Sequence, residues 1–224
     1  MASRNAPLLH RDDPEKEPLV GHVKVTRDDW LNAARDVLVT QGAANVKILP
    51  LSDRLGVSRS SFYWYFKNRP DLLAALLAEW EARNTALIVS QCEAPSASIT
   101  EALCNFFRCF VDPSLFDTGL DFAVREWSRR DPSVRERVDR ADTTRLRAVV
   151  EMYKRHDYAP KDADARARIL YYMQLGYHAL DVSEDMKLRM SRVESYIEGF
   201  TGRPADPEPI KDFAKFALSF EGAS

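Results

Sequence analysis

The stretch S-R-S-S-F-Y-W-Y-F-K-N-R, residues 58 to 69, combines charged and hydroxyl side chains with five consecutive aromatic residues, from Phe62 to Phe66. On a helix, successive residues are rotated by about 100°, so the first ten of these residues divide into two faces. One face carries two cations, a hydroxyl and two aromatic rings, from Arg59, Ser60, Tyr63, Trp64 and Lys67. The other carries Phe62, Phe66 and, by its angle, Tyr65, which we expect to face the core.

The mixed face has the composition that contacts with DNA require. Arginine and lysine bind phosphates or the edge of guanine, serine forms adaptable hydrogen bonds, and aromatic rings pack against sugars and thymine methyl groups. The alternative is an ordinary helical hairpin with a few exposed rings. We favour DNA binding because a contiguous cluster of large exposed rings usually marks a binding surface.

Two helices, the second of them short, are predicted ahead of this stretch. The sequence T-R-D-D predicts a capping box between Thr26 and Asp29 at the start of the first helix, and Gly42 predicts its end. A second helix is expected over residues 48–55, and Gly56 ends it.

Ser58 can cap a third helix, which we expect to carry the aromatic run as far as Asn68. Pro70 lies in the first turn of a fourth, longer helix. Its inward residues should be Leu72, Leu73, Leu76, Leu77 and Trp80. A short helix, a glycine turn and a helix with a polar, cationic face together predict a helix-turn-helix unit.

The charge is unevenly distributed along the chain. The 224 residues carry a net charge of −2, whereas residues 24–70 contain eight Lys/Arg and four Asp, a net charge of +4. The rest of the chain is therefore acidic. A small basic segment joined to a larger acidic one is expected when only the first meets an anionic partner.

Helical apolar stripes separated by proline-containing turns continue to the end of the chain, and strand signals are scarce. We therefore predict an all-α fold, with an N-terminal three-helix helix-turn-helix DNA-binding domain and a C-terminal helical domain for ligand binding and dimerisation. The expected units are a disordered N-terminal arm at residues 1–23, the DNA-binding domain at 24–70 and the regulatory domain at 71–224. The first helix of the regulatory domain connects the two domains.

The segment L-G-V-S-R-S-S-F-Y-W-Y-F-K-N-R-P-D-L-L-A-A-L, residues 55 to 76, resembles the signature of the tetracycline-repressor (TetR) family of bacterial transcriptional regulators. The resemblance is strong over residues 26–76 and weaker through V-R-E-W-S-R-R-D-P, residues 124 to 132. It implies a repressor that binds a palindromic operator in double-stranded DNA as a homodimer and is released by an unknown small-molecule inducer.

Carried over residue by residue, the resemblance implies base and backbone contacts from the third helix and a phosphate contact at the start of the fourth. With the flanking polar groups, the predicted DNA-binding residues are Lys47, Ser58, Arg59, Ser60, Ser61, Tyr63, Trp64, Tyr65, Lys67 and Arg69. Leu49 stands where several family members have a base-reading arginine, so Lys47 is expected to bind phosphate instead. For Tyr65 the helical angle indicates the core, whereas its family counterpart indicates the DNA backbone.

Aromatic residues of the C-terminal region are candidates for an inducer cavity, and the alternative for each is ordinary core packing. The ligand-binding candidates are Phe106, Phe107, Phe110, Phe122, Trp127, Arg145 and Tyr172. Arg145 falls on the inward stripe of its helix, where a cation needs a partner. That partner is either an acidic side chain or an anionic ligand.

Gly176 lies inside the most apolar helix, a costly position unless another helix approaches closely. We therefore expect a dimer interface there, and the alternative is packing within one chain. The predicted interface residues are Ile169, Met173, Gly176, Tyr177 and Leu180.

Several function classes lack their sequence signals. The chain has no glycine-rich phosphate loop, no H-E-x-x-H or G-x-S-x-G motif, and no Glu-x-x-His pair, so we expect neither enzyme activity nor a cofactor. Three cysteines without metal-ligand spacing predict neither a metal site nor a disulfide. No apolar run is long enough for a membrane span, which predicts a cytoplasmic protein. The alternatives are an all-helical interaction protein with a degenerate DNA-binding domain and, behind it, a helical enzyme.

Overall fold

The computed structural model describes residues 25–112, 114–180 and 182–220, which are helical without a strand. The helices are α1 (Arg27–Gln41), α2 (Ile48–Leu55), α3 (Arg59–Phe62), α4 (Arg69–Trp80), α5 (Ala86–Glu93), α6 (Ile99–Val111), α7 (Thr118–Ser128), α8 (Pro132–Arg155), α9 (Pro160–Ala179), α10 (Met186–Met190), α11 (Val193–Thr201) and α12 (Pro207–Leu218). The all-α prediction is confirmed for these residues. The predicted N-terminal arm lies outside them.

The first two helices begin and end where local signals predict. The Thr26 hydroxyl accepts a hydrogen bond from the Asp29 amide at 3.2 Å, and the Asp29 carboxylate accepts one from the Thr26 amide at 2.7 Å. This is the predicted capping box. At the end of α2, Gly56 has φ +66°, in the left-handed region where a side chain would be strained.

The third helix is shorter than predicted. It ends at Phe62, and the chain continues in tight turns. In these turns the Tyr63 amide donates a hydrogen bond to the Ser60 carbonyl, and the Trp64 amide donates one to the Ser61 carbonyl. The prediction of one helix reaching Asn68 was therefore wrong. Asn68 instead caps α4, because its side-chain oxygen accepts the Asp71 amide at 3.0 Å.

A connecting helix joins the two halves of the molecule. It consists of α4, a π turn at Glu81–Thr85 and α5, and the five predicted inward residues of α4 are all buried. Single π turns inside α-helices are uncommon and often lie at functional positions. Trp80, just before the turn, and Asn84 and Thr85 within it form hydrogen bonds with α7, its N-cap and α8.

The described residues bury two hydrophobic clusters. The N-terminal cluster holds α1 to α4 together around Trp30 and Phe62, and it also includes Leu120 and Val124 of α7 and Val138 of α8. The C-terminal cluster is built from α5, α6, α8, α9, α11 and α12. Because α7 and α8 contribute to the first cluster, the helix-turn-helix unit is packed directly against the second half of the chain.

Candidate nucleic-acid interface

The aromatic run is anchored by two of its own rings. Phe62 is fully buried and Phe66 nearly so, with their ring centres 5.4 Å apart. Trp30 of α1 meets Phe62 edge to face, with ring centres 5.2 Å apart and planes 77° apart. Aromatic packing therefore fixes the short helix α3 against α1.

The opposite side of the run is open to solvent. Tyr63 is 47% exposed and Trp64 is 79% exposed. The Arg59 guanidinium donates a hydrogen bond to the Tyr63 hydroxyl at 3.1 Å, and its central carbon lies 6.0 Å from the centre of the Tyr63 ring. We call this surface the recognition face and define it as Arg59, Ser60, Tyr63, Trp64 and Lys67. The predicted division of the run into a buried and an exposed side is confirmed.

Positive charge around the recognition face is left unneutralised. In the described part of the chain, the exposed cations Lys47, Arg59 and Lys67 form no ion pair. By contrast, Arg54 pairs with Asp36 at 2.6 Å, so that cation is compensated. The uncompensated cations lie at the start of α2 and along the aromatic run, where they can meet phosphate groups.

Two predicted DNA contacts are turned inward. The Ser61 hydroxyl is buried and has no hydrogen-bond partner among the residues that the structure describes. The Tyr65 ring packs against the N-terminal cluster, and its hydroxyl donates to the Val25 carbonyl at 2.8 Å. Tyr65 therefore packs on the core side, as its helical angle predicts, and holds the chain in front of α1. Ser58 is exposed and exchanges a 2.7 Å hydrogen bond with Ser60.

Arg69, the predicted phosphate contact, is engaged with the protein backbone. Its guanidinium donates from Nε to the Val46 carbonyl and from Nη2 to the Ala43 carbonyl, both at 2.5 Å. These carbonyls lie on the turn between α1 and α2. Arg69 thus ties the start of the connecting helix to the helix-turn-helix unit.

Arg145 lies in a buried network in the second half of the molecule. It is fully buried, and its Nη1 donates to Asp121 Oδ1 at 2.9 Å. Asp121, only 1% exposed, also accepts from Trp80 Nε1 at 2.7 Å and from Arg125 Nε at 2.8 Å. Of the two predicted partners, the structure therefore gives Arg145 an acidic side chain. One Arg145 nitrogen, Nη2, stays buried without a partner in the described chain.

The ligand candidates are not brought together. Phe106, Phe107 and Phe110 pack on one another and on the C-terminal core, with ring centres 5.2 to 5.4 Å apart. Phe122 and Trp127 instead line an open groove of about 1230 Å³ between the helix-turn-helix unit and α7. Tyr172 is 53% exposed on the outside of α9. Sequence periodicity cannot distinguish these environments, because each is set by helices distant in the chain.

The N-terminal part of the sequence matches a known protein family. Residues 31–76 match the family model described as "Bacterial regulatory proteins, tetR family". Residues 31–76 are a tetR-family domain. A segment of 55 residues is also 34% identical to an uncharacterized HTH-type transcriptional regulator, TtgW, of Pseudomonas putida. That segment is 25% of this chain and 41% of the relative, so the chain spans about two fifths of that protein's length.

Solved structures extend the likeness of fold beyond the tetR-family domain. A TetR-family transcriptional regulator from Marinobacter aquaeolei is similar with a TM-score of 0.61 and 14% identity, over 88% of this chain and 98% of that one. The fatty acid degradation regulator FadR from Bacillus halodurans is similar with a TM-score of 0.58 and 18% identity, over 79% and 94% of the two chains. The helical C-terminal domain therefore has the fold seen in these regulators.

Helix α9, which lies C-terminal to the tetR-family domain in the sequence, carries an apolar stripe on its exposed face. Ile169 is 59% exposed and Leu180 is 77% exposed, with Tyr172 and Gly176 between them at spacings of three and four residues. We call Ile169, Tyr172, Gly176 and Leu180 the α9 stripe. Of the other predicted interface residues, Met173 packs on the core, and the Tyr177 hydroxyl donates to Glu184 at 2.8 Å. Those two side chains are thus used largely within the chain.

Sequence reasoning missed the polar contacts that join the tetR-family domain to the rest of the chain. Arg35 of α1 pairs with Asp117 at the start of α7 at 2.5 Å. Asn84 of the π turn exchanges two hydrogen bonds with the Asp117 backbone, at 2.9 and 3.1 Å. An Asp immediately before a helix signals a cap, which Asp117 is, but nothing local signals its distant partners.

A metal site and a membrane-spanning helix are both absent from the described residues, 25–112, 114–180 and 182–220. No group of three His, Cys, Asp or Glu side chains there could hold a metal ion. Within those ranges there is also no helix whose length and apolar content would let it cross a membrane.

Proposed function

We propose that the protein is a sequence-specific transcriptional repressor that binds a palindromic operator as a homodimer and is released by a small-molecule inducer. The observation that carries the proposal is the recognition face of the tetR-family domain. Rigid aromatic anchors present unpaired cations, a serine hydroxyl and two exposed rings on one side of a short helix. That combination suits entry into the major groove.

The cations and the polar groups of this surface have different tasks in the proposal. Lys47 and Lys67 bind phosphates, which gives affinity that depends on salt but not on sequence. Arg59 and Ser60 lie at the start of α3 and read base edges, while Tyr63 holds the Arg59 guanidinium in place. Trp64 packs against the sugar-phosphate backbone.

The α9 stripe supports the dimer. Glycine inside a helix costs about 1 kcal/mol relative to alanine, and a Cβ added at Gly176 would meet nothing within 4 Å in this chain. Internal packing therefore gives no reason for the glycine, whereas a second copy of α9 approaching closely would. Exposed Ile169 and Leu180 would then be buried. The proposal requires a two-fold axis that sets the two recognition faces about 34 to 36 Å apart, one turn of DNA, or a multiple of that distance.

The connecting helix supports control by a ligand. Trp80 bonds Asp121 of α7, and Thr85 accepts a 3.0 Å hydrogen bond from Arg145 of α8. At its other end, Arg69 bonds the turn before α2. A ligand that displaced α4 would therefore change the separation of the two recognition faces and lower the affinity for the operator.

The proposal is tested by in-vitro selection of bound duplexes from a random DNA library, using the full chain. We expect a consensus with two related half-sites in inverted orientation. The comparison variant is Arg59→Ala, Ser60→Ala, which removes the two side chains proposed to read base edges and leaves Phe62 and Phe66 in place. Recovery of the same consensus by that variant, or no consensus from the unaltered protein, would overturn the proposal.

A further inference from the structure

The groove lined by Phe122 and Trp127 lies between the tetR-family domain and the helical domain. One wall is formed by the end of α1, the turn that follows it and the start of α4. The other wall is formed by α7 and the end of α9. Its volume of about 1230 Å³ is large enough for a drug-sized molecule.

Part of the groove lining is apolar and aromatic. Val39 of α1, 41% exposed, lines the groove together with the half-buried Phe122 and Trp127 of α7. His178 also lines it, and its ring centre lies 5.2 Å from that of Phe110. Burial lowers the pKa of His178, so this ring is neutral at pH 7 and adds no competing cation. A flat or compact hydrocarbon body fits such walls.

An uncompensated cation lies on the groove wall. The Arg69 guanidinium bonds neutral carbonyls, and no carboxylate of the described residues pairs with it. The acidic residues nearby are occupied. Glu126 lies 3.6 Å from Arg129 and 3.8 Å from Arg130, and Asp131 accepts the amides that begin α8. Arg130 also lines the groove, but it is 84% exposed and lies near Glu126, so the more enclosed partner for an anionic group is Arg69.

We propose that this groove binds a small organic carboxylate with an aromatic or alicyclic body, which packs on Phe122 and Trp127 while its carboxylate pairs with Arg69. The groove is distinct from the aromatic interior around Phe106 and Phe110. Charge-assisted hydrogen bonds to a carboxylate are stronger than those to a neutral carbonyl. The ligand therefore competes with the Ala43 and Val46 carbonyls for the guanidinium.

Through that competition the ligand would regulate DNA binding, a role that rests on the proposed function. Arg69 joins α4 to the turn before α2, so its withdrawal loosens the hold of the connecting helix on the helix-turn-helix unit. The loosened contact lets the recognition face move relative to the helical domain and lowers the affinity for DNA.

The test compares carboxylates with their neutral counterparts. Benzoate, 1-naphthoate and cyclohexanecarboxylate, and the three primary amides, are titrated into the full chain without DNA by calorimetry. We expect at least one carboxylate to bind with a Kd of about 1 mM or tighter, and its amide about tenfold or more weakly. In Arg69→Gln the preference for the carboxylate over the amide disappears, a readout that general damage to the fold would not produce.

Further variants locate the site. Gln41→Trp fills the groove from an exposed position and abolishes binding, and Trp127→Ala weakens it about tenfold. The matched control is Phe107→Leu in the aromatic interior, which leaves binding unchanged.

Three results would overturn the inference: no binding by any of the carboxylates, equal binding of acid and amide, or loss of binding in Phe107→Leu but not in Gln41→Trp. Because binding is measured without DNA, it fails or succeeds independently of the proposed function. A separate titration with the selected operator then measures release, and binding without release would overturn the regulatory role alone.

Discussion

Replacing Asp121 by asparagine should remove the carboxylate that neutralises Arg145. Both side chains are buried, with exposures of 1% and 0%, and they meet at 2.9 Å. Arg125 keeps a bidentate pair with Asp142, at 2.9 and 2.6 Å, whereas Arg145 keeps its bond to the neutral Thr85 hydroxyl. Breaking a buried pair by removing one partner typically costs about 3 to 5 kcal/mol, because the remaining charge is uncompensated.

We therefore expect Asp121→Asn to lower the free energy of unfolding by about 3 to 5 kcal/mol at pH 7. The measurement is urea unfolding followed by circular dichroism at one fixed protein concentration, since association would shift the midpoint. Asp139→Asn is the matched control. Its carboxylate is 55% exposed and pairs with the 62% exposed Arg135, so it should cost less than about 1 kcal/mol.

The same pair predicts a pH dependence. Burial acts to raise the pKa of Asp121, but the charges of Arg145 and Arg125 and the hydrogen bonds from Arg125 and Trp80 lower it to about 2. The folded pKa thus lies below the usual value of 3.8, so the stabilisation is present above pH 4 and is lost as the pH falls towards 2.

The gap in stability between the unaltered protein and Asp121→Asn should consequently narrow by about 1 kcal/mol at pH 3 and about 2 kcal/mol at pH 2. A loss at pH 7 no larger than that of Asp139→Asn would refute this account of the buried pair. A gap that stays constant down to the lowest pH at which both proteins fold would refute it as well.

The other predictions concern DNA binding and assembly. Arg59→Ala should relax base preference, by about 1 to 3 kcal/mol for the base it reads, so a panel of single-mismatch operators would show similar affinities where the unaltered protein discriminates. Lys67→Ala should lower the affinity for all DNA duplexes by a similar factor and reduce the slope of log affinity against log salt concentration by about 1. An unchanged slope would argue against a phosphate contact by Lys67. Ile169→Glu should dissociate the dimer in sedimentation experiments, whereas the exposed Glu198→Gln should not; a dimeric Ile169→Glu would move the interface away from α9.

Local signals were enough to predict the start of the fold. These signals are the capping box at Thr26, the glycines at 42 and 56 and the leucines of α4. Each depends on residues only a few positions apart, so the local sequence is enough to recognise it. The two faces of the aromatic run were predictable for the same reason. Its early termination after Phe62 was not, because the tight turns depend on how Phe66 packs against Arg27 and the N-terminal core.

Contacts between distant parts of the chain were beyond such reasoning. Helical periodicity indicated that Arg145 faces inward, but its partner Asp121 lies 24 residues earlier on another helix. Arg69 was expected to bind phosphate, and its two carbonyl partners lie on a turn 23 and 26 residues before it. The groove is assembled from segments far apart in the chain, so only the tertiary structure brings Val39 to Phe122.

The most direct test of the central claim is the specificity ratio for DNA. The affinity of the full chain for its selected operator is divided by its affinity for a scrambled duplex of the same length and composition, at one physiological salt concentration. If the recognition face reads bases, the ratio should be about 1,000 or more and should fall steeply in the Arg59→Ala, Ser60→Ala variant. A ratio near 1 would mean that the face binds DNA only through its charge, and it would contradict the account.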